Sequence, residues 1–476
     1  MYSLDDTIAA ISTPVGEGGI GIVRMSGPDA RRILERLFVP AGQTVLEPRR
    51  LEYGHIVDPG TQQTVDEVLA VYMAAPRTFT RQDVVEIDGH GGIVALRQIL
   101  GLCLRQGARA AERGEFTARA FLNGRLDLAQ AEAVLDVVQA RTETALRAAV
   151  DQLAGRLSEQ VRAVRATLVG VLAYLEASID FEEDEIPEQD IGPELAGASS
   201  RLESLLSSAD RGIIYRQGVR AAIVGRPNVG KSSLLNCLLR TSRAIVTDIP
   251  GTTRDTLEET LNLQGVPVVL VDTAGILDKT ADPIERLGIE RSRQALTRAD
   301  LALLVLDVSE PPTDADRDIA ALVGTKPAIA VLNKVDLLRA TNGGLFPPMV
   351  APQAVADAQA TVRNWAWNGA APPFVLVSAL NGEGLDALEA AIVETVFSGQ
   401  VSATEAPLVT SPRHKESLNR ALDHVEAAVA AHRASLSPDL IAIDVAGAVN
   451  ALGELTGQTA SEDLLETIFQ NFCIGK

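Results

Sequence analysis

The stretch Gly225 to Ser233, GRPNVGKSS, lies between an apolar run, AAIVG, and a helix-like run, SLLNCLL. It fits the pattern G-x-x-x-x-G-K-[ST] in the strand, loop, helix setting that gives the pattern its chemistry. Backbone N–H groups at a helix N-terminus cradle phosphate, so Asn228, Val229, Gly230, Lys231, Ser232 and Ser233 are the candidate cradle. Lys231 is placed to reach the β- and γ-phosphates, and the Ser232 hydroxyl to hold magnesium. Three further pieces follow in order. Asp272 closes the strand VVLVD and opens DTAG (Asp272, Thr273, Ala274, Gly275), which sets a carboxylate at a strand end for magnesium and leaves Gly275 free to approach the γ-phosphate. NKVD (Asn333, Lys334, Val335, Asp336) follows AIAVL, and SAL (Ser378, Ala379, Leu380) follows FVLV. An aspartate there accepts both N1–H and N2–H₂ of guanine, donors that adenine does not present together, so the nucleotide expected is GTP.

The elements that must position these residues follow from patterning. From residue 218 to 400 short apolar strands alternate with helices, the sign of a mainly parallel sheet flanked by helices, and VPVVLVD, LALLVLD, AIAVLN and FVLVS are apolar enough to be covered on both faces. Residues 1–125 read as mixed α/β, with strand-like IGIVRM and DEVLAVYM and helix-like GGIVALRQILGLCLRQ. Residues 126–217 carry apolar side chains at three- and four-residue spacing over long stretches, LDLAQAEAVLDVVQARTETALRAAV and LAGRLSEQVRAVRATLVGVLAYLEASI, and 401–476 return to that pattern. The economical arrangement is a multidomain α/β plus all-α protein, in which a helical domain made of two sequence-distant pieces carries the α/β domain as an insert.

Composition narrows the classes. A formal charge of −20 disfavours broad binding to nucleic acid backbones, so any RNA contact is local or delegated to a partner. Three widely spaced cysteines fit a reducing cytoplasm and neither a disulfide framework nor a metal cluster. No secretion signal or membrane span is expected. The closing CIGK places Cys473 as in a prenylation box, but Gly475 and Lys476 are the wrong residues and the preceding stretch is acidic. GEGGIG, Gly16 to Gly21, is followed by a strand-like run instead of a helix and is set aside as a dinucleotide site.

Taken jointly, GRPNVGKSS, DTAG, NKVD and SAL resemble the Ras-like GTPase superfamily. Where many of its members carry a water-orienting glutamine after DTAG, this chain has Ile276, which cannot orient water. SRAIVTDIPGTTRD, Ser242 to Asp255, resembles switch I of the TrmE-Era-EngA branch, so Thr247, Asp248, Ile249, Pro250, Gly251, Thr252 and Thr253 join the expected nucleotide contacts, with the Thr253 hydroxyl on magnesium beside Ser232. DDTIAAISTPVGEGGIGIVRMSG, VEIDGHGG, GEFTARAFLNGRLDLAQAEAV, GIERSR and FCIGK together resemble the MnmE (TrmE) family of tRNA modification GTPases over essentially the whole chain.

That resemblance implies a homodimer working with an MnmG-type partner that uses FAD and NADH, in a heterotetramer or larger complex. The pair would install carboxymethylaminomethyl on C5 of the wobble uridine of certain tRNAs, with a one-carbon unit from 5-formyl- or methylene-tetrahydrofolate. The tRNA would be contacted largely through the partner. The resemblance also implies potassium beside the phosphates, held by Asn228 and by backbone groups of Thr247, Ile249 and Thr252, supplying the charge of an arginine finger. It makes Glu285 the water-orienting catalytic residue alongside Lys231 and Thr253, and makes Arg24, Glu86, Arg125 and Lys476 folate contacts. Read without it, Glu285 is a solvated helix residue and the four folate positions are surface ion-pair partners, while a loop hydrogen bond is the lesser alternative for Asn228. Cys473 reads equally as a catalytic thiol or a buried small hydrophobe. The segment between Asp336 and Ser378 is long for the family, with Trp365 and Trp367 as its expected anchors. The alternatives are a ribosome-assembly switch of the Era or EngA kind, which needs a KH domain or second P-loop not found here, a folate-dependent methyltransferase acting alone, and a dynamin-like membrane-remodelling assembly, for which no lipid-binding segment is evident.

Overall fold

The structure, a computed structural model, describes residues 4–14, 16–42, 46–181, 187, 189–242, 259–271, 293–338, 352–365, 367, 370–397 and 409–475. The first sheet has seven strands: β1 (Ile8–Ile11), β2 (Gly21–Ser26), β3 (Phe38–Pro40), β4 (Glu52–Val57), β5 (Thr64–Met73), β6 (Val84–Gly89) and β7 (Arg109–Ala110), in the order β3-β4-β5-β6-β2-β1-β7. Neighbours run antiparallel except β1 and β7. Alternation along the strands divides the faces. Val23 and Met25 of β2 and Val85 and Ile87 of β6 pack under α1 (Ala30–Leu37) and α2 (Ile93–Arg105). Register pairs Arg24 with Glu86 and Ile22 with Asp88, so these four leave by the opposite face.

The helical run expected from Leu126 is present but broken. After α3 (Glu115–Leu122) comes α4 (Leu128–Gln139), opened by an Asp127 and Gln130 capping box. Ala140 turns to ψ 125°, and the Thr142 side chain accepts from Ala145 N to start α5 (Glu143–Leu153). The N-cap threonine makes two helices from what periodicity reads as one. In α6 (Arg156–Asp180) Leu157, Val161, Val164, Leu168, Val171 and Leu175 form one buried stripe. They share a core with α7 (Gly192–Ser207) and with residues far along the chain. α8 (Ala209–Gln217) then leads into the second sheet.

That sheet contains β8 (Val219–Val224), β9 (Glu259–Leu263), β10 (Val266–Val271), β11 (Leu301–Asp307), β12 (Ala328–Asn333) and β13 (Phe374–Val377), in the order β13-β12-β11-β8-β10-β9. All pairs are parallel except β9 with β10. Every residue of β11 and β12 is buried, because α9 (Lys231–Ser242), α10 (Asp314–Val323), α11 (Pro352–Arg363) and α12 (Leu385–Val396) cover both faces. Trp365 and Trp367 pack against this core beside α11, with Trp367 Nε1 donating to Val362 O at 2.8 Å, as the expected anchors of their segment.

The chain returns through α13 (Pro412–Arg433) and α14 (Pro438–Thr456), whose apolar stripes close the core begun by α6 and α7, and through α15 (Glu462–Gln470). Tyr215 at the end of α8 and Phe397 after α12 meet ring to ring, centroids 5.5 Å apart, so the insert leaves the helical part and rejoins it at one place. Among the described residues no helix is long and apolar enough to cross a membrane.

Candidate functional site

The parallel strands bring three loops together at their C-terminal edge, where the ends of an open α/β sheet form a crevice. The first is the turn between β8 and α9. Asn228 sits there at φ 66°, and Gly230 at φ 98° passes so close to Asn333 that a Cβ would meet its Nδ2 at 2.2 Å. Only glycine allows that approach. Asn333, at the end of β12, joins all three loops: its Nδ2 donates to Val229 O at 2.8 Å, and its Oδ1 accepts from Ala379 N at 3.0 Å. Ser378 Oγ donates to Asp336 Oδ1 at 2.6 Å, which fixes the orientation of that carboxylate. Lys334 adopts φ 68° and donates to Asp307 Oδ2 at 2.6 Å; Asp307 was not singled out from sequence, since a lone aspartate at a strand end carries no pattern. Val335 is buried below the loop and Leu380 is exposed at its rim. Ser232 and Ser233 begin α9, so the helix N-terminus faces the crevice.

Lys231 Nζ donates to Gly225 O and Arg226 O, each at 2.7 Å. Both are carbonyls, so its charge is not cancelled, and burial pushes the ammonium down to about 8. A phosphate against it pulls that value back up. Nucleotide binding therefore takes up protons as pH rises through 8, and affinity falls on the alkaline side. Titration calorimetry of GDP in buffers of different ionisation enthalpy is expected to show uptake near pH 8 and none near pH 6.5. Equal uptake at both pH values would contradict this. Thr247, Asp248, Ile249, Pro250, Gly251, Thr252, Thr253, Asp272, Thr273, Ala274, Gly275 and Glu285 lie outside the described residues, as does Lys476.

A second site forms on the N-terminal sheet. Arg24 Nε donates to Glu86 Oε1 at 2.7 Å, Arg24 Nη1 donates to Gly475 O at 3.4 Å, and the guanidinium stands 5.8 Å from the centre of the Phe116 ring. The C-terminal segment is fastened here: Ser12 Oγ donates to Gly475 O, Ile474 bridges Arg113, and Gly114 N donates to Cys473 O. Cys473 is exposed, not a buried hydrophobe. Arg125 stands 4.8 Å from the centre of Phe79, which packs in the same apolar cluster as Phe116. Each guanidinium thus lies over a ring, Arg24 over the fully buried Phe116 and Arg125 over the half-buried Phe79, and two such cations suit a ligand bearing carboxylates. Neither ring is marked in the sequence, because a phenylalanine is ordinary core until its cationic neighbour is seen.

A family model described as the MnmE helical domain matches residues 128–473, and one described as the GTP-binding protein TrmE N-terminus matches residues 7–125. Similar proteins named tRNA modification GTPase MnmE occur in Roseiflexus castenholzii (52% identical, 100% of both chains), Chloroflexus aurantiacus (49%, 99% of this chain and 100% of that one) and Alkaliphilus oremlandii (46%, 100% of both). With both family models matched and half the residues shared end to end with such relatives, the chain belongs to the MnmE (TrmE) family.

Proposed function

We propose that this chain hydrolyses GTP at the edge formed by β8, β12 and β13 and couples hydrolysis to modification of tRNA. The observation that carries this reading is Asn333, one side chain that ties the phosphate loop to the loop holding Asp336 and Ser378. Asp336 accepts the guanine N–H donors, Lys231 and the backbone of Asn228 to Ser233 take the phosphates, and Lys334 flanks the nucleoside. Ser232 and Thr253 would hold magnesium, which neutralises phosphate charge when bound. Asn228, Thr247, Ile249 and Thr252 would hold potassium.

Glu285 orients the attacking water, in place of the glutamine that Ile276 does not provide. Glu285→Ala is expected to slow hydrolysis more than about tenfold while GTP affinity stays nearly unchanged. Equal turnover of mutant and wild type in potassium would remove Glu285 from that role, and equal turnover of the wild type in sodium would remove Asn228 from the potassium site.

On the N-terminal sheet, Arg24, Glu86, Arg125 and Lys476 would hold a tetrahydrofolate, which supplies a one-carbon unit when bound. The two guanidiniums of Arg24 and Arg125 support this reading, since they suit a ligand bearing carboxylates. A homodimer in the cytoplasm, joined by an FAD- and NADH-using MnmG-type partner, would then modify C5 of the wobble uridine. With a chain this acidic, the partner brings much of the RNA-binding surface. Mass spectrometry of nucleosides in bulk tRNA from cells with and without the gene tests the whole. Loss of aminomethyl-type wobble uridines is expected; unchanged uridines, with no second gene covering the loss, would overturn it.

A further inference from the structure

Glu86 and Asp88 are two residues apart on β6, so both side chains leave the sheet on the face away from α1 and α2. Their neighbours on that face follow from register: Arg24 and Ile22 on β2, Val71 and Leu69 on β5. Arg24 is engaged by Glu86 and by Gly475 O. Asp88 takes no part in these bonds. Its Oδ1 is shielded from solvent and has no hydrogen-bond partner among the described residues. Burial, then the nearby Glu86 charge, raise its carboxyl above the ordinary range, with Arg24 opposing.

A carboxylate oxygen withdrawn from water without a donor destabilises a fold, and such groups in native proteins call for a reason. Packing does not supply one, because the flanking residues Ile22, Leu69 and Val71 would accept an apolar side chain at this position. A ligand N–H does. We propose that Asp88 is a further contact for the folate, accepting a hydrogen bond from an N–H group of the pterin; this rests on the folate reading of the N-terminal sheet. Glu86 already gives Oε1 to Arg24, whereas Asp88 retains its acceptors.

The test is calorimetric titration of the full chain with 5-formyltetrahydrofolate, comparing wild type, Asp88→Asn, Asp88→Leu and Glu86→Ala. Both Asp88 variants are expected to bind at least about tenfold more weakly, the loss of one charge-assisted hydrogen bond. Both are also expected to melt at a higher temperature than wild type without folate, since the unpartnered carboxylate is gone. That stabilisation distinguishes a ligand contact from a structural defect. Wild-type affinity in both Asp88 variants with weakened Glu86→Ala would overturn the assignment of Asp88 and leave the folate site standing. Absence of binding by the wild type itself would overturn the folate reading, and this inference with it.

Discussion

Asp336→Asn is expected to lower GTP affinity by roughly a thousandfold or more and to give the chain affinity for XTP, as when a site built to hydrogen-bond one edge meets the wrong donors. Ser378 Oγ holds Asp336 Oδ1 at 2.6 Å, which limits how the replaced side chain can turn. Asparagine with Oδ1 on Ser378 presents its NH₂ to the guanine amino group, donor against donor. Xanthine carries a carbonyl at that ring position, so the same NH₂ finds an acceptor while Oδ1 takes N1–H. Fluorescent GDP and XDP analogues measure both arms. Retained GDP affinity would mean that the base is read elsewhere.

The second large effect is on stability. Glu132 of α4 is buried between α13 and α14: Arg413 donates to its two oxygens at 2.9 and 3.0 Å, and His414 Nε2 lies 2.5 Å from Oε2. Burial would raise the Glu132 carboxyl, but the attraction and hydrogen bonds of His414 and then Arg413 outweigh it and hold the group far below the usual carboxylate range. Glu132→Ala leaves the Arg413 guanidinium and the buried His414 ring without their acceptor and is expected to cost about 3–5 kcal/mol. Its melting transition should fall by roughly 10 °C, while Glu132→Leu combined with Arg413→Leu and His414→Leu should recover much of the loss. An unchanged midpoint in Glu132→Ala would refute the assignment. The pH dependence has a definite sign. A carboxyl depressed on folding lends stability above its ordinary pKa and loses it below, so the wild type should weaken as pH falls under about 4.5 and Glu132→Ala should not share that loss.

Legibility from sequence differed by the kind of information each residue carries. Asp336, Lys231 and Ser378 were readable because their roles fix their neighbours within a few positions. The division of Leu126 onward into α4 and α5 was not readable, because Thr142 is an ordinary polar residue until its hydroxyl is seen on Ala145 N. Asn333 was legible as part of NKVD, yet its bonds to Val229 and Ala379 join positions that only the sheet order brings together. Glu132, Arg413 and His414 carried no signal at all, since an ion pair between helices far apart in the chain leaves no spacing to detect. Asp88 lies two residues past Glu86, which the family resemblance marks, and only its missing donor distinguishes it.

The meeting of Tyr215 and Phe397 bears on how the chain folds. The helical core needs α6 and α7 to find α13 and α14 across the whole inserted sheet. Closing a flexible loop of that length costs roughly 4–5 kcal/mol of chain entropy. Once the insert has folded, its two ends are in contact and the remaining search is short. The nucleotide-binding unit is thus expected to mature first and act as an internal clamp that templates the helices around it. Mutations that loosen its core should then slow assembly of helices they never touch.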